Sequence, residues 1–200
     1  MPIQAITVYC SSSSKVDQAF VDAARNLGSA IAKENWKLVY GGNNVGLMGA
    51  LANAARAAGG KVIGVTPRLF VDKGSADEQC DELIVTDGMR DRKALLEERG
   101  DAFITLPGGL GTFEELFEII CGKVLGYHTK PIVLLNIENY YAPLLAMITH
   151  GIEHHFIKSS AQDLYFVADS VQAAIDHIRH YTPPAPAERT YETSRTSAAE

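Results

Sequence analysis

Short apolar runs alternate with stretches of helical period along most of this chain. Residues 3–9, 37–40, 61–66, 82–86, 102–106, 131–135 and 164–168 are rich in Val, Ile and Leu and bounded by turn residues, a pattern that predicts buried strands. Between them apolar residues recur at three- and four-residue steps. Phe20, Val21, Ala24, Leu27, Ile31 and Ala32 predict a helix over 16–34. Further helices are expected over 47–58, 89–99, from Thr112 onward, 140–152 and 170–180. Gly59-Gly60 suits a helix end, and Pro143 falls in a first turn, where it costs no hydrogen bond.

Strands alternating with helices predict an α/β fold: a Rossmann-like open parallel sheet of about six or seven strands with helices on both faces. One domain is expected over residues 1–180. Residues 68–81 have no clear period and predict a long surface loop, a flap over a site. Residues 181–200 are small, polar and Pro-bearing, and predict a disordered tail.

Composition narrows the function classes. A net charge of −6 with no basic stripe argues against nucleic acid. No apolar stretch is long enough to span a membrane, and MPIQAITVYC has none of the parts of a secretion signal. Cys10, Cys80 and Cys121 are odd in number, widely spaced and match no zinc pattern, which suits a reducing cytoplasm.

Chemistry concentrates at the expected strand ends. The strand over 102–106 runs into Pro107-Gly108-Gly109-Leu110-Gly111, and a helical pattern starts at Thr112. Glycines allow close approach of backbone to a phosphate, and the first helical N–H groups lack partners, so the loop suits an anion. Neither common nucleotide fingerprint fits. A GxGxxG pattern needs glycine where Glu114 stands, and no Lys-Ser or Lys-Thr follows a glycine loop. Glu115 lies one turn into the helix. Thr112 and Glu115 also have capping-box spacing, so both could merely close a helix end. Arg92 and Lys93 follow the fourth strand. They could grip an anion at the same edge, or belong to a solvated face, since Arg90, Asp91, Arg92 and Lys93 alternate in sign. A second glycine loop, Gly41-Gly42-Asn43-Asn44-Val45-Gly46, leaves the second strand, and a serine loop, Ser11–Ser14, leaves the first. In open α/β sheets ligands bind at that edge.

These residues resemble the LOG family, phosphoribohydrolases often mislabelled as lysine decarboxylases. The family's PGGxGTxxE is present in full over 107–115, its Arg-Lys pair is Arg92-Lys93, GGNNVGLMG over 41–49 resembles its second glycine motif, and KPIVLLNIENYYAPLL over 130–145 is similar to its sixth strand and following helix. The resemblance implies hydrolysis of the N-glycosidic bond of cytokinin riboside 5′-monophosphates, which are N6-modified AMP, with AMP itself as a further substrate, to free base and ribose 5-phosphate. It implies Arg92 and Glu115 as the catalytic pair. Substrate contacts would come from Arg92, Lys93, Gly108, Gly109, Leu110, Gly111, Thr112, Phe113, Glu114 and Glu115, with Gly42 and Asn43 from the second loop. It further implies a homodimer, with no cofactor and no metal.

Breaking a ribose C1′–N bond develops positive charge on the sugar, which a nearby carboxylate stabilises; Glu115 suits that task. Arg92 could fix the phosphate or position Glu115 and the departing base. The chain departs from its relatives at Asn43, where many have glycine, at the glycine-free serine loop, at Gly74, near an acidic residue that contacts substrate in several, and at Cys121, where some have Thr. Asn43 could preserve the loop through a positive φ. A non-catalytic nucleotide or cofactor carrier of the same fold is the alternative, because fold does not fix function. His150-Gly151-Ile152-Glu153-His154 matches an inverted zinc-protease pattern, with no third ligand evident downstream.

Overall fold

The computed structural model describes residues 2–183; the expected tail, beyond its first three residues, lies outside them. Seven strands form one sheet: β1 (Ala5–Tyr9), β2 (Lys37–Tyr40), β3 (Val62–Pro67), β4 (Glu82–Thr86), β5 (Ala102–Thr105), β6 (Ile132–Leu135) and β7 (Phe166–Ala168). Every pairing is parallel and the order is β4-β3-β2-β1-β5-β6-β7. The chain winds outward from β1 to β4, returns to β5 beside β1, and winds out again. The reversal leaves a crevice above the carboxyl ends of β1 and β5.

Helices cover both faces. α1 (Gln18–Lys33), α2 (Gly46–Ala57) and α7 (Val171–Arg179) pack on one face with Ile6, Val8, Leu38, Tyr40 and Ile104. α4 (Met89–Arg99), α5 (Leu110–Val124) and α6 (Ala142–Glu153) cover the other with Tyr9, Val39, Phe103 and Leu134. Successive strand residues point to opposite faces, so continuous apolar runs are what a doubly covered sheet requires.

The flap region differs from expectation. A short helix, α3 (Arg68–Asp72), opens it, and Asp77 within it is almost fully buried. Two 3₁₀ turns, Ile137–Asn139 and Ser159–Leu164, precede α6 and β7; both are too short to give a period. No helix among the described residues is long and apolar enough to cross a membrane.

α1 and α2 approach closely because Gly28 presents no side chain. A methyl group there would collide with the Leu51 carbonyl oxygen and sit 3.1 Å from the Ala55 nitrogen, both backbone atoms of α2. Gly28→Ala is expected to destabilise the fold by about 1–3 kcal/mol through overpacking, read as a lower urea midpoint at unchanged slope. An unchanged midpoint would show that α1 can shift at no cost.

Candidate active site

Three loops meet at the carboxyl edge and are tied by backbone bonds. The Ser11 N–H donates to the Pro107 carbonyl at 3.3 Å, and the Leu47 N–H donates to the Ser11 carbonyl at 3.1 Å. The loop after β5 is held from beneath by two tyrosines that precede α6: the Tyr141 hydroxyl donates to the Leu106 carbonyl (2.7 Å) and the Tyr140 hydroxyl to the Gly108 carbonyl (2.6 Å). Both lie in the 130–145 stretch, but the sequence gives no sign of what they hold.

α5 begins two residues earlier than its period suggests. Gly109 is the N-cap, without a side-chain cap, so the capping-box reading of Thr112 and Glu115 does not hold. Gly108 is buried; Gly109, Leu110 and Gly111 are exposed at the tip, and Thr112 is buried in the first turn. The N–H groups of that turn have no intrahelical acceptors and carry the positive end of the helix dipole. Phe113 is half-buried with its ring edge-on to Tyr141, and Glu114 is exposed.

Glu115 faces Arg92. Arg92 Nη1 donates to Glu115 Oε1 at 2.8 Å, with both side chains about nine-tenths buried. Arg92 Nε also donates to the Val65 carbonyl at the end of β3, at 3.0 Å. A side chain at Gly41 would strike the guanidinium, so the second loop needs glycine there. Arg92 is thus not part of a solvated face; its partner lies on another helix, which charge alternation along α4 cannot reveal. Burial pushes the Glu115 carboxyl above its usual 4.5, and the Arg92 charge and hydrogen bond only partly offset that. Among the described residues nothing donates to Glu115 Oε2, and that oxygen is not sealed from solvent. Lys93 donates to Glu114 at 2.8 Å and pairs with Glu118 at 3.2 Å; these bonds raise its pKa.

In the second loop Gly42 takes the left-handed conformation (φ +69°), whereas Asn43 does not. The positive φ expected of Asn43 therefore falls on its neighbour. Asn43 is buried and its carboxamide oxygen accepts from Thr66 Oγ1 at 3.0 Å. Gly74 is exposed with open space around it and brings no side chain to the crevice. A cavity of about 240 Å³ opens between the loops after β1 and β5, walled by Val16, Phe20, Leu47, Pro107 and Tyr140, with Gly108 and Gly109 at its edge. His150, Glu153 and His154 sit at the exposed end of α6, their two rings stacked edge-on at 4.3 Å. Among the described residues no three potential ligands are grouped to hold a metal ion.

A family model described as "Possible lysine decarboxylase" matches residues 48–178. A cytokinin riboside 5′-monophosphate phosphoribohydrolase of Rhodococcoides fascians is 44% identical over 177 residues, covering 88% of this chain and 89% of that protein. One of Mycobacterium tuberculosis is 41% identical, covering 85% and 90%. Among solved structures, a molybdenum cofactor binding protein from Rippkaea orientalis superposes with a TM-score of 0.68 at 25% identity, over 88% of this chain and 96% of that one. The molybdenum cofactor carrier protein of Chlamydomonas reinhardtii gives the same score and identity, over 89% and 97%. Matches of this extent to the family model, and to relatives along nearly their whole length, fix the descent: the chain belongs to the LOG family, the family that model describes.

Proposed function

We propose that this protein hydrolyses the N-glycosidic bond of cytokinin riboside 5′-monophosphates, with AMP as a simpler substrate, releasing free base and ribose 5-phosphate. The carrying observation is the buried Arg92–Glu115 pair one turn into the helix that follows the glycine loop. The 5′-phosphate lies on the Gly109–Thr112 turn, where N–H groups and the helix dipole favour negative charge. Gly108 shapes that turn, and Leu110, Phe113, Glu114 and Lys93 border it. Gly42 and Asn43 form the opposite wall. The apolar cavity beside Tyr140 suits a purine and a short N6 chain.

In the reaction the C1′–N bond breaks, its electrons pass to the base, and the base takes up a proton, balanced by the one the attacking water loses. The ribose gains oxocarbenium character, and water adds at C1′ and gives up its proton. Glu115, through its free Oε2, stabilises the cation and receives that proton or orients the water. Arg92 holds the other oxygen and favours the ionised carboxyl against the effect of burial. A decarboxylase reading gains nothing from Lys93, whose pairing with Glu114 and Glu118 raises its pKa, the opposite of what an amine nucleophile needs. The carrier reading is favoured by the two superposed cofactor proteins, but at lower identity than the phosphoribohydrolases.

The three cysteines are unpaired, which supports the cytoplasm as the working compartment. A homodimer is supported by α5, which exposes Leu110, Phe117 and Val124, with Leu125 and Tyr127 just beyond. Val124→Asp should then convert a dimer to a monomer in light scattering; a monomeric wild type removes the dimer.

Incubation with AMP and with isopentenyladenosine monophosphate tests the activity, with released base as the readout. Glu115→Gln is expected to lower kcat by about 10²–10⁴-fold while KM moves little. Near-normal turnover would remove Glu115 from the chemistry. The working form of Glu115 is the carboxylate, so kcat/KM should fall as pH drops through its raised pKa, with the acid limb above the usual 4.5. Arg92 opposes that rise, so Arg92→Gln should move the limb to still higher pH. A limb that stays in place would separate Arg92 from Glu115's ionisation.

A further inference from the structure

Three charged side chains are nearly buried among the described residues: Arg92, Glu115 and Asp77. Asp77, the most buried at 1% exposure, takes no part in the chemistry above. A carboxylate so placed is costly unless well partnered, and Asp77 is. Its Oδ2 accepts from the Tyr40 hydroxyl at 2.6 Å and from Arg56 Nη1 at 2.8 Å, and its Oδ1 from the Gln79 N–H at 3.1 Å. Tyr40 ends β2, immediately before the second glycine loop, and Arg56 comes from α2, which follows that loop. The carboxylate therefore joins the flap to the strand that enters the loop and to the far end of the helix that leaves it.

The backbone repeats the connection. The Asp77 N–H donates to the Gly42 carbonyl at 2.8 Å, the Asn44 N–H to the Ser75 carbonyl at 3.2 Å, and Asn43 and Ala76 form an antiparallel bridge. Residues 75–77 thus lie along residues 42–44 like a short added strand. Within that pairing, Asn43's carboxamide oxygen is occupied by Thr66 Oγ1. Its amino group has no hydrogen-bond partner among the described residues and is not sealed from solvent. With the oxygen engaged, the side chain offers only donors.

We propose that Asp77 is a positioning residue: it clamps the flap along the Gly42–Asn44 loop and so holds the Asn43 amide as a fixed donor to an acceptor atom of the bound nucleoside monophosphate. This rests on the nucleotide reading above. Gly74, in the same flap, has no side chain to offer, so the flap acts through the loop it braces rather than by touching the ligand there.

The test is a double-mutant cycle read by AMP calorimetry and by KM for base release, on wild type, Asp77→Asn, Asn43→Ala and the pair. Asp77→Asn keeps the size and can still accept from Tyr40, but loses the Arg56 ion pair. Each single change should weaken AMP binding roughly tenfold. The double variant should be no weaker than the worse single, because both act on one contact, and kcat should change less than KM. Additive losses, or a lower Tm for Asp77→Asn with unchanged AMP affinity, would overturn the clamp. If Asp77→Asn fails to fold, Arg56→Gln frees the same carboxylate and carries the same expectations. Wild-type protein that binds AMP without releasing base defeats the hydrolase reading alone, since the cycle is still read from affinity. Cleavage by wild type with an unaffected Asp77→Asn defeats the clamp alone.

Discussion

Two opposite charges are placed where water barely reaches, and the architecture of the carboxyl edge follows from keeping them there. A buried carboxylate and a buried guanidinium each carry a large desolvation cost, which their mutual attraction roughly offsets only with good geometry. Arg92 achieves it by spending Nε on the Val65 carbonyl and Nη1 on Glu115. That arrangement needs β3 to end beside the start of α4. It needs α5 to begin abruptly enough for Glu115 to turn inward, and the chain after β2 to pass without a side chain at Gly41. The pair contributes little net stability on such grounds; it fixes the orientation of one carboxylate.

On the proposed reading the same edge is organised in advance for an anion. The β5 loop does not depend on a ligand for its shape, because Tyr140 and Tyr141 hold its carbonyls from one side and Ser11 from another. With its carbonyls turned toward these donors, the first turn of α5 is left with its N–H groups unopposed. Donors already aimed need not be ordered when a phosphate arrives, which removes part of the entropic cost of binding. The sheet order completes the arrangement: strands β1 and β5 are neighbours although the chain between them forms β2 to β4, so loops distant in sequence share one crevice.

What the sequence disclosed and what it hid divide along a physical line. Buried parallel strands are continuous apolar runs, so all seven were legible, with ends displaced by a few residues. PGGLGT and its neighbouring carboxylate announced an anion site because glycine and helix start are local features. Interactions between distant segments were not legible. Arg92 sits in an alternating charged stretch that suggests a wet face, yet it is buried against a residue on α5. Asp77 lies in a segment without period, and its partners belong to β2 and α2. The start of α5 was misplaced because Leu110 and Gly111 look like loop, while the backbone already turns as a helix. Asn43 tolerates a positive φ where many relatives have glycine, but the loop does not call on it, because Gly42 absorbs the turn.

The LOG fold also superposes on a molybdenum cofactor binding protein and a molybdenum cofactor carrier, and the difference between holding and cleaving a ligand can be argued from charge. A protein selected only to hold a phosphorylated ligand gains nothing from a carboxylate at its phosphate loop, because like charges repel and the ground state is bound less well. Glu115 is such a carboxylate, one turn beyond the N–H groups that would receive the phosphate. Its presence there becomes favourable only when positive charge appears on the ligand, as it does at the anomeric carbon while the glycosidic bond breaks. An interaction stronger in the transition state than in the ground state is what accelerates a reaction. In the proposed reaction Arg92 would moderate the ground-state repulsion by neutralising one oxygen and would leave Oε2 to the cation. On this reasoning the proposed site assignment rests on the unfavourable half of the pair more than on the glycine loop beside it.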